Sequence, residues 1–322
     1  MYTIFSVSDR FYASVDSHGN VWCINKSHGT VTQVNLEQIV SVCNLASTGT
    51  FVLLSLEGIV YTYDATRAAD NIKKIRVAAG DAIVAISSSS GLVFFVTSTG
   101  AVYSYDVSGT KKLNIADMIV STHSGLGYAF FIGENGSLWL FNGSKSQKEV
   151  CFNETLPANA YSKVLEESNI SSIACGENHA LFILDDGTAY SCGSGNSGQL
   201  GLGGNIQEIR MPKKIPNLHN ICSASCTTNG SFLLSEEGAV WFCGGTFMAI
   251  NLFDPQQFRS LPPIQAISSG CHSISDVWLV AEEGSFWRFD GDLVPKKCNH
   301  KGLRDHPYIC GRYQQAGKSA RK

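Results

Sequence analysis

Residues Cys175–Gly204 read CGENHALFILDDGTAYSCGSGNSGQLGLGG. The stretch holds a short apolar strand over Ala180–Leu184, a turn at Asp185-Asp186-Gly187, and a second strand over Thr188–Cys192. Aspartates before a glycine, set between two β-rich runs, signal a hairpin, because glycine accepts positive φ without a Cβ clash. A glycine-rich tail, Gly193–Gly204, follows.

The unit recurs. Each copy has an apolar run, one or two mostly polar residues, a glycine, and an aromatic three places later. The pairs are Gly19–Trp22, Gly58–Tyr61, Gly100–Tyr103, Gly136–Trp139, Gly187–Tyr190, Gly238–Trp241 and Gly284–Trp287, spaced 39, 42, 36, 51, 51 and 46 residues apart. With aromatics at 10% of the chain, seven chance hits at one offset are on the order of one in ten million, so the chain is a repeat array. An isoleucine opens most units: Ile39, Ile83, Ile119, Ile170, Ile221 and Ile264.

A unit of this size cannot bury both faces of its own small sheet. Stacking seven such sheets around an axis hides those faces and leaves only short edges. The expected fold is therefore all-β, a seven-bladed β-propeller over 1–295. Each unit offers three strands, with room in its linker for a fourth, and the aromatic packs between adjacent sheets. A β-solenoid is set aside because its repeats are much shorter. Only Glu37–Val42 and Ala158–Glu167 leave room for a helical turn.

Hydrophobic residues make up 44% of the 322 and charged ones 16%, a balance that suits a packed core rather than disorder. No apolar run approaches the ~20 residues of a membrane helix, and no signal peptide is expected. Asn135-Gly136-Ser137 matches a glycosylation pattern but reads as turn chemistry. Eleven cysteines, an odd number, favour an intracellular setting, cytoplasmic or nuclear, with free thiols. Cys192 and Cys243, like Cys175 and Cys226, occupy matching repeat positions and read as small core residues. From Lys296 onward, eight basic residues face one acid, giving +7; the total of −3 leaves −10 on the rest. Residues 296–322 thus read as a basic tail. Such a tail is the chain's one route to nucleic acid, since an acidic body repels phosphate.

Cys175–Gly204 resembles the repeat signature of the regulator of chromosome condensation family. The elements are Gly176-x-x-His179, an apolar strand, Asp185-Asp186-Gly187, Tyr190, and Gly198-Gln199-Leu200-Gly201-x-Gly203. Elsewhere the likeness thins to the isoleucine, the turn glycine and the aromatic. The resemblance implies a seven-bladed propeller. It also implies the functions of that family: nucleotide exchange on the Ran GTPase with docking on nucleosomes, ubiquitin ligation, membrane traffic or ciliary assembly. No inserted β-wedge and no basic N-terminal arm, both associated with the exchange factor, are legible here.

Gly193-x-Gly195-x-x-Gly198 formally matches a dinucleotide fingerprint, but the residues after it cannot start the helix that would bind the pyrophosphate. No cofactor is expected. His179 and His272 are candidates for a binding face or for a bond inside the blade. Cys298, His300, His306 and Cys310 are zinc-ligand types within thirteen residues. Their order is unusual, and a solvated basic tail is the reading adopted. Candidate binding positions are the loops Asp9–Arg10, Glu177–Asn178, Thr228–Asn229 and Cys271–His272, with Gly195–Asn196 beyond the aromatic strand. The chain is read as a non-enzymatic protein-interaction scaffold. The alternatives are an exchange factor for a Ran-like GTPase and a chromatin-associated protein.

Overall fold

The computed structural model describes residues 4–7, 11–16, 18–25, 27–28, 30–46, 49–67, 71–77, 80–89, 91–106, 108–143, 151, 159–166, 168–245, 251–269, 276–290 and 293–298. They form seven four-stranded antiparallel sheets, and each sheet takes four consecutive strands. Blade 1 is β1 (Ile4–Val7), β2 (Phe11–Val15), β3 (Val21–Asn25) and β4 (Val31–Val34); blade 2 is β5 (Ile39–Ala46), β6 (Thr50–Ser55), β7 (Val60–Asp64) and β8 (Ile72–Ile75). Blade 3 is β9 (Ile83–Ser89), β10 (Leu92–Thr97), β11 (Val102–Asp106) and β12 (Gly109–Leu113). Blade 4 is β13 (Ile119–Ser124), β14 (Tyr128–Gly133), β15 (Leu138–Asn142) and β16 (Ala160–Leu165). Blade 5 is β17 (Ile170–Cys175), β18 (His179–Leu184), β19 (Ala189–Ser194) and β20 (Glu208–Lys214). Blade 6 is β21 (Ile221–Cys226), β22 (Gly230–Ser235), β23 (Val240–Gly245) and β24 (Asn251–Gln257). Blade 7 is β25 (Ile264–Ser269), β26 (Asp276–Ala281), β27 (Phe286–Asp290) and β28 (Lys296–Lys297).

Six of the first strands therefore start on the isoleucines. Each first strand touches that of the next blade, and β25 touches β1, which closes the ring. Closure comes from packing between blades 7 and 1, where Tyr12 meets Trp278 edge-on at 5.2 Å over Val280 and Phe286. The linkers supply the fourth strands. Within the two stretches with room for a helical turn, Ile39–Val42 lie in β5 and Ala160–Leu165 form β16 instead, held by pairing with β6 and β15. No helix among the described residues is long and apolar enough to cross a membrane. Lys296–Lys297, the start of the basic segment, belong to blade 7 as β28.

Why the isoleucine and the glycine travel together is visible between blades. The N–H of Ile39, Ile83, Ile119, Ile221 and Ile264 donates to the carbonyl of the preceding blade's turn glycine, at 2.9 to 3.1 Å. The seven turn glycines all have positive φ, from 76° to 84°. At Gly187 a Cβ would also lie 2.8 Å from Asn220 Cα, so both conformation and space require glycine. Just past each opening isoleucine a bulge leaves one residue unopposed: Val40, Val84, Val120, Ser171, Cys222 or Gln265.

Six of the aromatics after the turns, Tyr61, Tyr103, Trp139, Tyr190, Trp241 and Trp287, pack on the cluster shared with the preceding blade. Trp139 is half-buried against the Phe94–Phe131 cluster of blades 3 and 4 rather than fully enclosed. Its indole N–H donates to Asp117 Oδ2 at 2.8 Å, and Lys163, opposite on β16, sits 5.4 Å above the ring while pairing with Asp117 at 2.9 Å. An amphipathic ring set this way keeps its polar edge at the rim.

One cysteine expectation is overturned. Cys192 forms a disulfide with Cys151, Cα to Cα 5.6 Å. Equivalent blade positions are indeed not bridged, but Cys151 comes from the linker after β15 and has no repeat counterpart. Cys23, Cys175, Cys226 and Cys243 are buried and take part in no disulfide. Burial pushes Cys243 up to about 12 and Cys23 up to about 11, so neither is a nucleophile near neutrality.

Candidate functional site

A propeller offers three places for function: the channel and two faces. The loop face carries the links from first to second and from third to fourth strands. The turn face carries the glycine turns and the links between blades.

On the loop face, backbone bonds fix the sequence-named loops of blades 5 and 6, each within its own blade. Ser194 N–H donates to Asn178 O at 2.7 Å, and Gly245 N–H to Asn229 O at 2.9 Å. Asn196 and Asn229 are exposed, Glu177, Asn178 and Thr228 half-buried, and Gly195 is buried. His179 is fully buried. Its Nε2 lies 2.9 Å from Ser231 Oγ, and that hydroxyl donates to Gln199 O at 2.7 Å. The serine has one proton to give, so Nε2 carries the imidazole hydrogen. Burial lowers the His179 pKa to about 4, and a bond to the Gly230 backbone offsets only part of that. The ring is thus a neutral rivet between blades 5 and 6, beneath the face rather than on it. Gly176 makes room for it: a Cβ there would lie 2.2 Å from His179 Cε1.

The Gly198-Gln199-Leu200-Gly201 tail is a rivet as well. Gln199 and Leu200 are each 2% exposed. Gln199 O accepts from Ser231 and lies 3.6 Å from the Cys243 thiol, while Leu200 O accepts from Ser191 Oγ at 2.7 Å. Asp9, Arg10, Cys271 and His272 lie outside the described residues, as do His300, His306 and Cys310. Cys298 is half-buried against the cluster of Tyr12, Trp278, Val280 and Phe286. Among the described residues no cluster of three metal-ligating side chains forms.

The channel holds a cavity of about 270 Å³ lined by first strands of all seven blades. Its hydroxyls bond across blades: Ser87 Oγ lies 2.7 Å from Thr122 Oγ1 and 2.6 Å from Ser124 Oγ, and Ser225 Oγ lies 2.7 Å from Ser269 Oγ. His123 shares this lining, its pKa lowered to about 4 by burial against an opposing bond to the Ile173 backbone. These groups stitch the ring.

The turn face was missed from sequence, although its signal was in plain view in the acids before the turn glycines. Asp186 Oδ1 accepts from Thr188 N–H at 2.8 Å, Glu237 from Asn220 Nδ2 at 2.9 Å, and Glu283 from Lys297 Nζ at 3.2 Å. Those second acids hold the turns. The exposed first residues, Glu134, Asp185, Glu236 and Glu282, have no side-chain hydrogen bond or ion pair among the described residues. They form an arc over blades 4 to 7. Blades 2 to 4 instead expose Val40, Leu56, Val84, Met118 and Val120, with Leu56 at 70%.

Residues 170–199 and 186–234 match the Regulator of chromosome condensation (RCC1) repeat. Among curated relatives, a probable E3 ubiquitin-protein ligase of Homo sapiens, HERC6, is 32% identical over 127 residues, 35% of this chain and 12% of that protein. The regulator of chromosome condensation of Xenopus laevis is 33% identical over 89 residues, 26% of this chain and 21% of that one. The matched stretch is thus a small part of either relative. The crystal structure of Prp20p from Saccharomyces cerevisiae, a protein described with binding properties to Gsp1p and histones, superposes with TM-score 0.70 at 15% identity. It covers 83% of this chain and 80% of that one, a likeness of fold.

Proposed function

We propose that this chain, a seven-bladed propeller of regulator of chromosome condensation repeats, is a non-enzymatic protein-interaction scaffold that presents the loop face of blades 5 and 6. The reading is carried by Gln199. Its buried carbonyl ties the loop after β19 to Ser231 of the next blade, so exposed Asn196 and Asn229 stand on a rigid platform. Preformed loops on a rigid scaffold bind with little ordering cost. Buried His179 and half-buried His123 are held neutral, and the buried Cys23 and Cys243 thiols stay protonated, which supports a binding role over a chemical one.

Affinity capture with the full chain and with an Asn196→Arg/Asn229→Arg variant tests it. The expected result is a protein partner retained by the parent and lost by the variant, whose melting is unchanged. A partner held equally by both moves the site elsewhere. Faster nucleotide release from a Ran-like GTPase would replace the scaffold reading with the exchange-factor one.

A further inference from the structure

The turn face carries more negative charge than its turns need. In blades 5, 6 and 7 the second acid of each pair is engaged, by Thr188, Asn220 and Lys297 respectively. The first acid is not, and Glu134 continues the series in blade 4. Four consecutive blades thus project a carboxylate outward with no counterion among the described residues, while nearby Lys163 is already engaged by Asp117 and Glu166. Leaving like charges in a row costs free energy that a cationic ligand would recover. At the blade 4 end the arc runs into exposed Val84, Met118 and Val120.

The same chain contains the complement. Residues 299–322 hold Lys301, Arg304, Arg312, Lys318, Arg321 and Lys322 against Asp305 alone, interspersed with Leu303, Tyr308 and Ile309. The strand leading into them ends on the turn face. Cys298 N–H bonds Phe286 O at 2.9 Å, and Lys297 Nζ reaches Glu283 Oε1 at 3.2 Å. Lys297, just ahead of this basic stretch, therefore already sits on the acidic turn of blade 7. At ~3.3 Å per residue, the 24 residues after Cys298 reach about 80 Å, more than the width of a domain whose radius of gyration is roughly 20 Å.

We propose that segment 299–322 docks on the turn face of its own propeller. Its lysines and arginines lie along the arc Glu282, Glu236, Asp185 and Glu134, and its apolar residues meet Val84, Met118 and Val120. The proposal does not depend on the loop-face scaffold reading, which concerns the opposite side of the disc.

Zero-length carbodiimide cross-linking of the full chain, read by mass spectrometry, tests it, with the Lys297–Glu283 link as the yardstick. At low salt, links are expected from Lys301, Lys318 or Lys322 to the arc carboxylates, with yield unchanged on tenfold dilution. They should fall several-fold at 1 M salt, where screening acts within about 3 Å. They should also vanish in an Asp185→Lys/Glu236→Lys/Glu282→Lys variant that melts like the parent. If that variant does not fold, the salt series on the parent decides. The proposal is overturned by links confined to the loop face, links only between isotopically distinct chains, links that persist in the folded variant, or a yardstick link with no tail link beside it.

Discussion

Ile221 N–H donates to Gly187 O at 3.0 Å, tying the start of blade 6 to the turn of blade 5. The same bond recurs at four other blade junctions. It depends on a backbone that only glycine takes cheaply, at φ +76° with Asn220 Cα 2.8 Å from where a Cβ would stand. Gly187→Val should therefore cost well over ~1 kcal/mol in urea unfolding, from strain and clash together. Gly204→Ala is the comparison: its φ is +62° but nothing lies within 4 Å, so it should cost only about 1 kcal/mol.

Two tryptophans separate rim packing from ring closure. Trp278 is 3% exposed at the junction of blades 7 and 1, and Trp278→Ala should cost about 3–5 kcal/mol. Half-buried Trp139→Ala should cost less, about 2–3 kcal/mol, and Trp139→Phe about 1 kcal/mol through the lost Asp117 bond. Thermal melts of the three variants test the order. Equal costs would argue against the junction as the ring's closure.

Acid should loosen the ring through its neutral histidines. His179 stays unprotonated in the folded state down to about 4, whereas in the unfolded chain it takes a proton below about 6.5. Its contribution is fully present above pH 6.5 and declines as pH falls to 4, by about 3 kcal/mol in all. His179→Gln should flatten part of the stability profile in this window, where His123 and the carboxylates with lowered pKa, such as Asp117, also contribute. A profile of unchanged slope would contradict the assignment.

The Cys151–Cys192 bond closes a 41-residue separation within the protein and joins the linker after β15 to β19. Cys151→Ser should lower stability by about 4 kcal/mol in the chain-entropy account, and reductant should lower the parent to the same level. Reductant should leave the Cys151→Ser protein unaffected.

The fold was largely legible because hairpin chemistry is local. Glycine three residues before an aromatic reports a turn and a packed strand whichever blade carries it, so seven blades could be counted without coordinates. The fourth strands were less legible: Val31–Val34 and Ala160–Leu165 acquire strand structure from pairing with β3 and β15, not from a strong pattern of their own. The site was the least legible. The sequence favours a blade-internal bond for His179 over a surface role but does not name its partner Ser231, and Asp185 and Asp186 look alike in it, although one is bonded to Thr188 and the other is not.

The order of residues by itself settled the number of blades, the turn positions and the charge imbalance between body and tail, because each follows from neighbours within a few residues. Tertiary structure alone decided which acid of a pair remains free, that Cys151 finds Cys192, and that His179 and Gln199 are rivets. Those outcomes depend on distances between residues far apart in the chain. Such distances exist only once the blades close into a ring.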